Sequence, residues 1–373
     1  MTDILPTTWP ADPHTLAKHK ILEGYLHAWM PILATLKKGA LFIDGFAGPG
    51  EYEGGQEGSP VIALKAALKN APHFKNIVHF LFVENRPDRF EHLNEVLSRY
   101  SAQIRSTPKI NVLPPRCGEC ADVLREFLAG AKAKNKQHGP WLAFLDQFGY
   151  SQVPMSLIAE IMGGEKCEVL TYLEFRKLGQ FITDETKWPA ITAAFGSEEW
   201  KGAIPLRGHA RERFIAESYV RALRQRGGAT YVWHFAMKGE NNALIYWLFF
   251  CTKSDRGLEE MKKAMLRVDD SGSFVFSDAA NPDQLSLMSA GLAEEWLPKH
   301  LVHHFRGQTV ALADVRRHVL VDTPVVTFKK ALADLERGGA LQVMGASPTR
   351  RRGTFPEDDP RLRLRFLGET SND

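Results

Sequence analysis

The sequence predicts an α/β fold in which a mostly parallel sheet, covered by helices on both faces, ends in an antiparallel hairpin and precedes a smaller C-terminal domain. Two observations lead to this prediction. Short apolar runs alternate with segments of helical periodicity between about residues 40 and 173, as in parallel sheets with helical crossovers. Two β-rich runs, 230–237 and 243–252, are then joined by a short polar connection, which is typical of a hairpin.

The individual elements follow from apolar spacing. Helical periodicity over 15–36 predicts an amphipathic helix, and the apolar run 41–43 between glycines predicts a buried strand. Residues 175–208 hold tryptophans among polar residues and predict a helical insertion over one edge of the sheet. A helix at 210–225 leads into the hairpin, and a parallel sheet with this hairpin is the arrangement expected of class I methyltransferases. The other predicted strands are 78–83, 110–113, 141–145 and 168–173, and the other helices are 60–68, 86–100, 121–133 and 154–162.

The last part of the chain has a different pattern. It predicts two helices around a turn and then two strands, which is typical of a winged helix; the helices are 310–318 and 326–336 and the strands 341–343 and 362–366. Residues 291–367 contain 13 Lys and Arg against 9 Asp and Glu. The loop residues Arg350, Arg351 and Arg352 are therefore predicted to contact nucleic-acid phosphates. The alternatives are a protein-contact surface and a solvated face.

Composition limits the classes of protein to consider. The 373 residues are enough for two domains, and 44% hydrophobic and 24% charged residues are ordinary for a globular protein. A formal net charge of +3 excludes a strongly basic nucleic-acid coat but allows a local basic patch. Four scattered cysteines fit a reducing cytoplasm. With no signal-peptide pattern and no run long enough to cross a bilayer, a cytoplasmic protein without a membrane partner is predicted.

A glycine-rich loop, D-G-F-A-G-P-G, follows the first predicted strand. Glycines there let the backbone turn tightly and approach a ligand, at the strand ends where α/β sheets bind ligands. The spacing fits neither the dinucleotide pattern nor a P-loop. An acid followed by glycines suits S-adenosylmethionine, whose ammonium the acid can meet, and the alternative is a purely structural turn. The predicted cofactor contacts of this loop are Asp44, Gly45, Phe46, Ala47, Gly48 and Gly50.

Acidic residues follow two further strands. Glu84 is placed to accept both hydroxyls of a ribose. Asp146 lies across the crevice, where a carboxylate can accept the hydrogens of an exocyclic amine and align its nitrogen with the methyl group. Phe148 is predicted to stack on a base, and Tyr150 to close the pocket. The structural alternatives are a solvated Glu84, a core Phe148 and an Asp146 that caps the next segment.

Weaker signals surround these three motifs. Gly118 and Glu119 follow the third strand, where this fold contacts adenine, and are predicted cofactor contacts. The Cys-x-x-Cys pattern of the same loop lacks a second ligand pair for zinc, so no metal site is predicted. Lys18 and His19, on the first helix, and Tyr52, after the glycine loop, are candidate substrate contacts, although a solvated helix start is an equal alternative.

Several segments resemble the bacterial three-Cys-motif partner protein family. They include H-T-L-A-K-H-K and F-I-D-G-F-A-G-P-G within residues 14–70, the hairpin with its following helix, and the C-terminal R-R-R-G-T-F-P. The resemblance implies a methyltransferase-like fold and a neighbouring partner protein with a three-cysteine, radical-SAM-like motif. More loosely, D-x-x-A-G-x-G-x-Y is similar to the adenine-N6 methyltransferase of large-subunit ribosomal RNA, and D-Q-F-G to the D-P-F-G of tRNA guanine-N2 methyltransferases. These similarities imply Asp146 as the catalytic acid, with Gln147 where those families have proline.

The sequence therefore predicts an S-adenosylmethionine-dependent N-methyltransferase for an exocyclic base amine, adenine N6 or guanine N2, in RNA or DNA. Its predicted catalytic residues are Asp146, Gln147 and Phe148. The predicted domains are an N-terminal helical segment (1–38), a cofactor-binding domain (39–290) and a winged-helix-like domain (291–373). The alternative is a non-catalytic partner protein with the same fold, which works with the three-Cys-motif protein, for example in phage conflict.

Overall fold

The computed structural model describes residues 6–37, 39–133, 140–239, 241–269, 275–277, 295–357 and 359–367. The chain divides into two compact units, which are Met1–Val268 with Val275–Ala279, and Asp269–Phe274 with Ala280–Asp373. The predicted domain boundaries, after residues 38 and 290, fall on residues outside those described. No helix in the described part of the chain is both long and apolar enough to cross a membrane.

Strands and helices alternate through the first unit. Its strands are β1 (Ala40–Asp44), β2 (Val78–Glu84), β3 (Ile110–Val112), β4 (Arg116–Cys117), β5 (Trp141–Leu145), β6 (Glu168–Glu174), β7 (Tyr231–Lys238), β8 (Leu244–Thr252) and β9 (Val275–Ser277). Its helices are α1 (Pro13–Leu33), α2 (Ser59–Asn70), α3 (Pro87–Ser98), α4 (Ser101–Arg105), α5 (Cys120–Ala133), α6 (Met155–Met162), α7 (Phe175–Phe181), α8 (Trp188–Phe195), α9 (Gly208–Gln225) and α10 (Asp255–Leu266). Every predicted strand and helix of this unit is present, and their ends shift by a few residues at most.

The strands form one sheet. Among the described residues its order is β3-β2-β1-β5-β6-β8-β7-β9, with β4 beside the end of β2. The strands from β3 to β6 are parallel, whereas β8 runs antiparallel to both β6 and β7. The predicted mostly parallel sheet with a terminal hairpin is confirmed. Its order is compatible with a Rossmann-like fold, in which the chain winds outward in both directions from β1.

Strand β1 is the centre of this sheet, and all its residues are buried. Alternate side chains of a strand point to opposite faces, so a strand covered on both sides needs apolar residues throughout. Leu41 and Ile43 belong to the cluster that includes the apolar residues of α5 and α6. Phe42 instead contacts Phe80 of β2, with ring centroids 6.1 Å apart. The apolar run therefore holds β1 in the core, and Asp44 lies at the carboxyl end of this strand.

Residues 175–208 are mainly helical, as predicted. Helix α7 contacts β8, and α8 packs between α6 and α9. Trp200 is fully buried there, and its Nε1 donates to Thr192 Oγ1 at 3.1 Å. The ring of Trp188 meets the ring of Trp200 edge-on, with centroids 5.8 Å apart. The tryptophans thus form part of the core under this cover.

The C-terminal unit combines helices with a small antiparallel sheet. Its elements are α11 (Leu297–His304), β10 (Thr309–Ala311), α12 (Leu312–Asp322), α13 (Lys329–Arg337), β11 (Leu341–Met344) and β12 (Arg363–Phe366), and the strand order is β10-β12-β11. The helix predicted from residue 310 begins at Leu312 instead, because Val310 belongs to β10 and pairs with Leu364 of β12. Both predicted strands are present, and the winged-helix assignment stays a prediction.

The basic loop of this unit is held to α13 by its own arginines. Arg350 donates from Nη1 and Nη2 to the two carboxylate oxygens of Glu336, at 2.8 and 2.7 Å, and from Nε to the Thr354 carbonyl at 2.7 Å. Arg352 donates to the Glu336 carbonyl at 2.7 Å. The Arg350 guanidinium is therefore engaged in a bidentate ion pair within the unit, and its contact with nucleic acid stays a prediction. Arg351 and Arg352 are exposed and stay candidate contacts.

We expect Arg350→Ala to lower the free energy of unfolding of the C-terminal unit by about 3 kcal/mol, because Glu336 is left without its partner. Both side chains of the pair are only 10% exposed, so water replaces the lost contacts poorly. Arg351→Ala, at an exposed neighbour, should change stability by less than about 0.5 kcal/mol. Urea unfolding of the full chain measures both, and equal effects would contradict the bracing role of Arg350.

Candidate active site

Three acidic residues meet at one edge of the sheet. Asp44 and Glu84 end β1 and β2, and Asp146 directly follows β5. Because these three strands are adjacent and parallel, their carboxyl ends share an edge. The winding direction reverses between β1 and β5, and in open α/β sheets the crevice at such a point is where ligands bind. The structure therefore brings together the three acids that the sequence analysis selected.

Asp44 is fully buried, and no ion pair reaches it among the described residues. Its Oδ1 accepts a hydrogen bond from the Phe46 N–H at 3.2 Å, and the Ser59 hydroxyl is a second neighbour of the carboxyl. Burial raises the pKa of Asp44 to about 7, against hydrogen bonds from Ser59 and Phe46 that lower it. The nearby carboxylates of Asp146 and Glu84 raise this pKa further. A cation beside this carboxyl would favour its ionised form.

Glu84 ties the glycine loop to the end of β2. Its Oε2 accepts from the Gly48 N–H and its Oε1 from the Arg86 N–H, both at 2.9 Å. Gly48 has a φ of +61°, which favours glycine. At Gly45 a Cβ would stand 2.6 Å from Cys120 Sγ, so only glycine fits there. The loop is thus shaped by close contacts on its inner side.

Strand β4 and the loop after it form the neighbouring wall. The Gly118 N–H donates to the Glu84 carbonyl at 3.0 Å, and Asn85 Nδ2 donates to Glu119 Oε1 at 3.0 Å. Both predicted adenine contacts therefore lie beside Glu84. All four cysteines of the chain are free thiols. In the part of the chain that the structure describes, no three His, Cys, Asp or Glu side chains are grouped to hold a metal ion.

Asp146 forms an ion pair with Lys18 of α1, whose Nζ donates to Asp146 Oδ2. Lys18 is almost completely buried, and its Nζ lies 5.9 and 5.8 Å from the ring centroids of Tyr172 and Tyr246. Lys18 is a candidate predicted from sequence, whereas no sequence pattern indicated either tyrosine. Tyr172 lies on β6 and Tyr246 on β8. These strands pair antiparallel, and no local sequence pattern indicates that pairing.

Gln147 braces the loop after β5. Its Oε1 accepts from the backbone N–H groups of Gln152 and Val153, and its Nε2 donates to the Tyr172 carbonyl, each at 3.0 Å. The side chain is 1% exposed, so it has no surface for a substrate. We therefore correct the predicted catalytic role of the Gln147 side chain to a structural one. Rigidity that proline would give through its ring comes here from three hydrogen bonds.

The next two aromatic residues, Phe148 and Tyr150, differ in burial. Phe148 is 61% exposed at the mouth of the crevice. Gly149 then turns the chain with a φ of +104°, and Tyr150 is buried in the hydrophobic core with Val153 and Leu157. The prediction that Tyr150 closes the pocket is wrong, because the turn directs its ring into the core. Phe148 remains available for stacking.

His19 and Tyr52 contact each other near the acids, with ring centroids 5.7 Å apart. Burial, and then the charge of Lys18, lower the pKa of His19 to about 3, so its imidazole is neutral at physiological pH. Burial, with the charges of Asp146 and Asp44, raises the pKa of Tyr52 well above its usual value, so its phenol stays protonated. Both candidates are therefore uncharged hydrogen-bonding groups beside the acids.

A cavity of about 470 Å³ opens at this edge of the sheet, within the usual size range of small-molecule sites. Several residues that line this cavity were not predicted from sequence, and the most important of them are Trp9 and Arg89. The signal for Trp9 was a tryptophan beside a proline just ahead of the first helix. Residues on the wall include Trp9, Phe46, Glu84, Arg89, Phe148 and Lys177.

Comparison with known proteins adds little. No protein-family model and no curated protein matches the chain. Among solved structures, it is similar to the crystal structure of a DUF574 family protein from Streptomyces avermitilis, with 12% identity, a TM-score of 0.33, and coverage of 66% of this chain and 86% of that one. A likeness at this TM-score carries no argument. The site therefore rests on the contacts of the chain's own residues, and membership of the three-Cys-motif partner family stays a prediction.

Proposed function

We propose that the protein is an S-adenosylmethionine-dependent methyltransferase that acts on an exocyclic base amine in RNA or DNA. The observation that carries this proposal is the fully buried carboxyl of Asp44, without an ion pair among the described residues, at the carboxyl edge of β1. Burial disfavours the ionised form of this carboxyl, and a cation from outside the chain would stabilise that form. Within the described residues, Lys18 pairs with Asp146 and no ion pair reaches Asp44.

The crevice residues fit S-adenosylmethionine. Its methionyl ammonium would supply the cation for Asp44, beside a loop kept free of side chains at Gly45 and Gly48. Glu84 would accept the ribose hydroxyls with the remaining lone pairs of its carboxylate, and Gly118 and Glu119 would border the adenine. When bound, the cofactor provides a methyl group on a positively charged sulfur.

Asp146 and Phe148 form the proposed amine site. Lys18 holds Oδ2 of Asp146, which leaves Oδ1 to accept an N–H from the target amine and to direct the nitrogen lone pair. Phe148 offers an exposed ring on which the base can stack. Methyl transfer depends chiefly on this alignment, because a well-positioned amine needs little acid–base assistance. The three hydrogen bonds of Gln147 hold the loop that carries both residues.

The C-terminal unit completes the proposal as a phosphate-binding surface, with Arg351 and Arg352 among its exposed cations. A protein with a three-cysteine motif is a further proposed partner, on the strength of the sequence resemblance alone. If the protein binds S-adenosylmethionine but methylates no nucleic acid, the non-catalytic partner alternative is preferred.

Asp146→Asn is expected to lower the rate of methyl transfer about 100-fold while the Kd for S-adenosylmethionine changes less than about threefold, because alignment of the amine is lost. The assay follows labelled methyl groups from the cofactor into total RNA and total DNA in separate reactions. Glu217→Gln, which neutralises an exposed carboxylate on α9, is the control and should leave the rate unchanged. Label transfer that survives Asp146→Asn would contradict the assigned role of Asp146.

A further inference from the structure

An extended segment crosses the crevice ahead of α1. We call residues 6–12 the N-terminal strap. Thr7 Oγ1 donates to Asp88 Oδ2 at 2.8 Å, Arg89 Nη2 donates to the Pro6 carbonyl at 3.2 Å, and the Glu53 N–H donates to the Trp9 carbonyl at 3.1 Å. These bonds fix the strap to α3 on one side and to the glycine-loop region on the other.

The strap places Trp9 over the glycine loop. The Arg89 guanidinium lies over the indole, 4.3 Å from the ring centroid. The indole edge meets the rings of Tyr52 and Phe148, with centroids 5.6 and 6.3 Å apart. A methyl group on Gly48 would stand 3.8 Å from Trp9, so the indole also borders the proposed cofactor loop. Trp9 is thus held in place by three neighbours.

Phe148, in contrast, presents most of its ring to solvent. At 61% exposed it is the one large aromatic among the strongly exposed apolar residues of the described chain. An exposed ring loses its contact with water when a flat apolar group covers it, which makes such a position favourable for stacking. Its backbone is fixed by the Gln147 brace, and its N–H donates to Gln152 Oε1 at 3.2 Å. The ring can therefore rotate on a rigid support.

Cationic groups line the same cavity. Arg89 is 7% exposed, and its buried Nε has no hydrogen-bond partner among the described residues. Lys177 of α7 reaches the cavity from the opposite wall, although it also forms an ion pair with Glu174 at 3.2 Å. A guanidinium on a cavity wall is suited to a phosphate oxygen, which its terminal nitrogens can reach. Aromatic walls and cations together match a single nucleotide.

We propose that Trp9 and Phe148, whose rings meet edge to face, form the two sides of a corner that receives the target nucleobase on the Phe148 ring, and that Arg89 and Lys177 receive the phosphate of the same nucleotide. The subsite rests on the proposed function, because Phe148 lies two residues beyond Asp146. Its ligand is an unstacked base of a single strand, since a base within a duplex has no free face for stacking on Phe148. Trp9 acts as a positioning residue for the base.

The test uses the full-length protein and a five-nucleotide single strand with 2-aminopurine at its centre, as RNA and as DNA. Stacking on an aromatic ring quenches the fluorescence of this base. Trp9→Ala and Phe148→Ala are each expected to weaken binding about 10-fold, and Trp9→Phe should retain it within about threefold. An otherwise identical strand with an abasic centre should bind Trp9→Ala and the unaltered protein equally. Ile77→Ala, at an exposed apolar residue outside the cavity, is the control and should leave binding of both strands unchanged.

The Kd for S-adenosylmethionine is measured on the same variants and should change less than about threefold in Trp9→Ala. If Trp9→Ala weakens cofactor binding and leaves the 2-aminopurine strand unaffected, Trp9 covers the cofactor and the subsite is refuted. Equal loss with the abasic strand would also overturn it. Base-dependent binding by a protein that binds no S-adenosylmethionine would support the subsite while it refutes the proposed function. Preference for RNA over DNA in this assay identifies the source of the nucleotide.

Discussion

Replacing Asp44 with asparagine is expected to stabilise the ligand-free protein at pH 8 and to abolish measurable binding of S-adenosylmethionine. The raised pKa of about 7 means that ionising Asp44 costs free energy in the folded state. A carboxyl whose folded pKa lies above its unfolded pKa loses stability as pH rises from about 4 to about 7. At pH 8 the cost is on the order of 3 kcal/mol, which a neutral amide of similar shape avoids. Without the carboxylate, the Kd should rise at least 100-fold, or about 3 kcal/mol.

Glu168→Gln is the matched control for this prediction. Glu168 is also buried, and burial likewise raises its pKa to about 7, but it lies at the start of β6, at the opposite edge of the sheet from the acids. It accepts hydrogen bonds from the hydroxyls of Tyr25 and Thr252, at 2.5 and 2.6 Å. This variant should change how stability depends on pH and leave the cofactor Kd unaltered. Thermal unfolding and calorimetry at pH 6 and 8 give both quantities. A destabilised Asp44→Asn protein with normal cofactor affinity would contradict the assignment.

Gln147→Ala is expected to lower the free energy of unfolding by about 3 kcal/mol, because one buried and two partly buried backbone groups each lose a partner. The loop that carries Phe148 should also lose its fixed position, so methyl transfer should fall more than cofactor affinity. Urea unfolding measures the first effect, and the labelled-methyl assay the second.

Gln152→Ala tests whether this effect is specific. Gln152 accepts one hydrogen bond, from the Phe148 N–H, in a more exposed position. Its replacement should cost less than about 1 kcal/mol, since water can take over that bond. If Gln147→Ala were as mild as Gln152→Ala, the bracing role of Gln147 would be refuted.

The sheet and its acidic edge were predictable from sequence because both depend on local patterns. Apolar runs of three to six residues marked the strands, and the acids Asp44, Glu84 and Asp146 directly follow three of these runs. Asp44, Glu84 and Asp146 then had to meet, because parallel neighbours end at the same edge. The departure of Gln147 from the proline of related motifs followed instead from the resemblance of D-Q-F-G to D-P-F-G, which does not indicate what the Gln147 side chain does.

The remaining parts of the site depend on contacts between distant segments. Lys18 and Asp146 are 128 positions apart in sequence, and no local pattern pairs them. Arg350 looked like a free cation because Glu336, its partner, lies on a different element. Tyr150 looked like a pocket residue because its burial depends on the turn at Gly149. In each case the deciding interaction is tertiary, whereas periodicity and motif spacing report only local structure.

The central claim is that the cation of S-adenosylmethionine is the missing partner of Asp44. Its most direct test is to count the protons released on binding, by calorimetry in two buffers with different enthalpies of ionisation. At pH 6 most of the Asp44 carboxyl is protonated, because burial raises its pKa to about 7. Binding with an ammonium beside the carboxylate should therefore release close to one proton at pH 6, and should take up protons at pH 9, where much of the free cofactor's amino group is neutral. Absence of binding, or tight binding that releases no proton at pH 6, would contradict the claim.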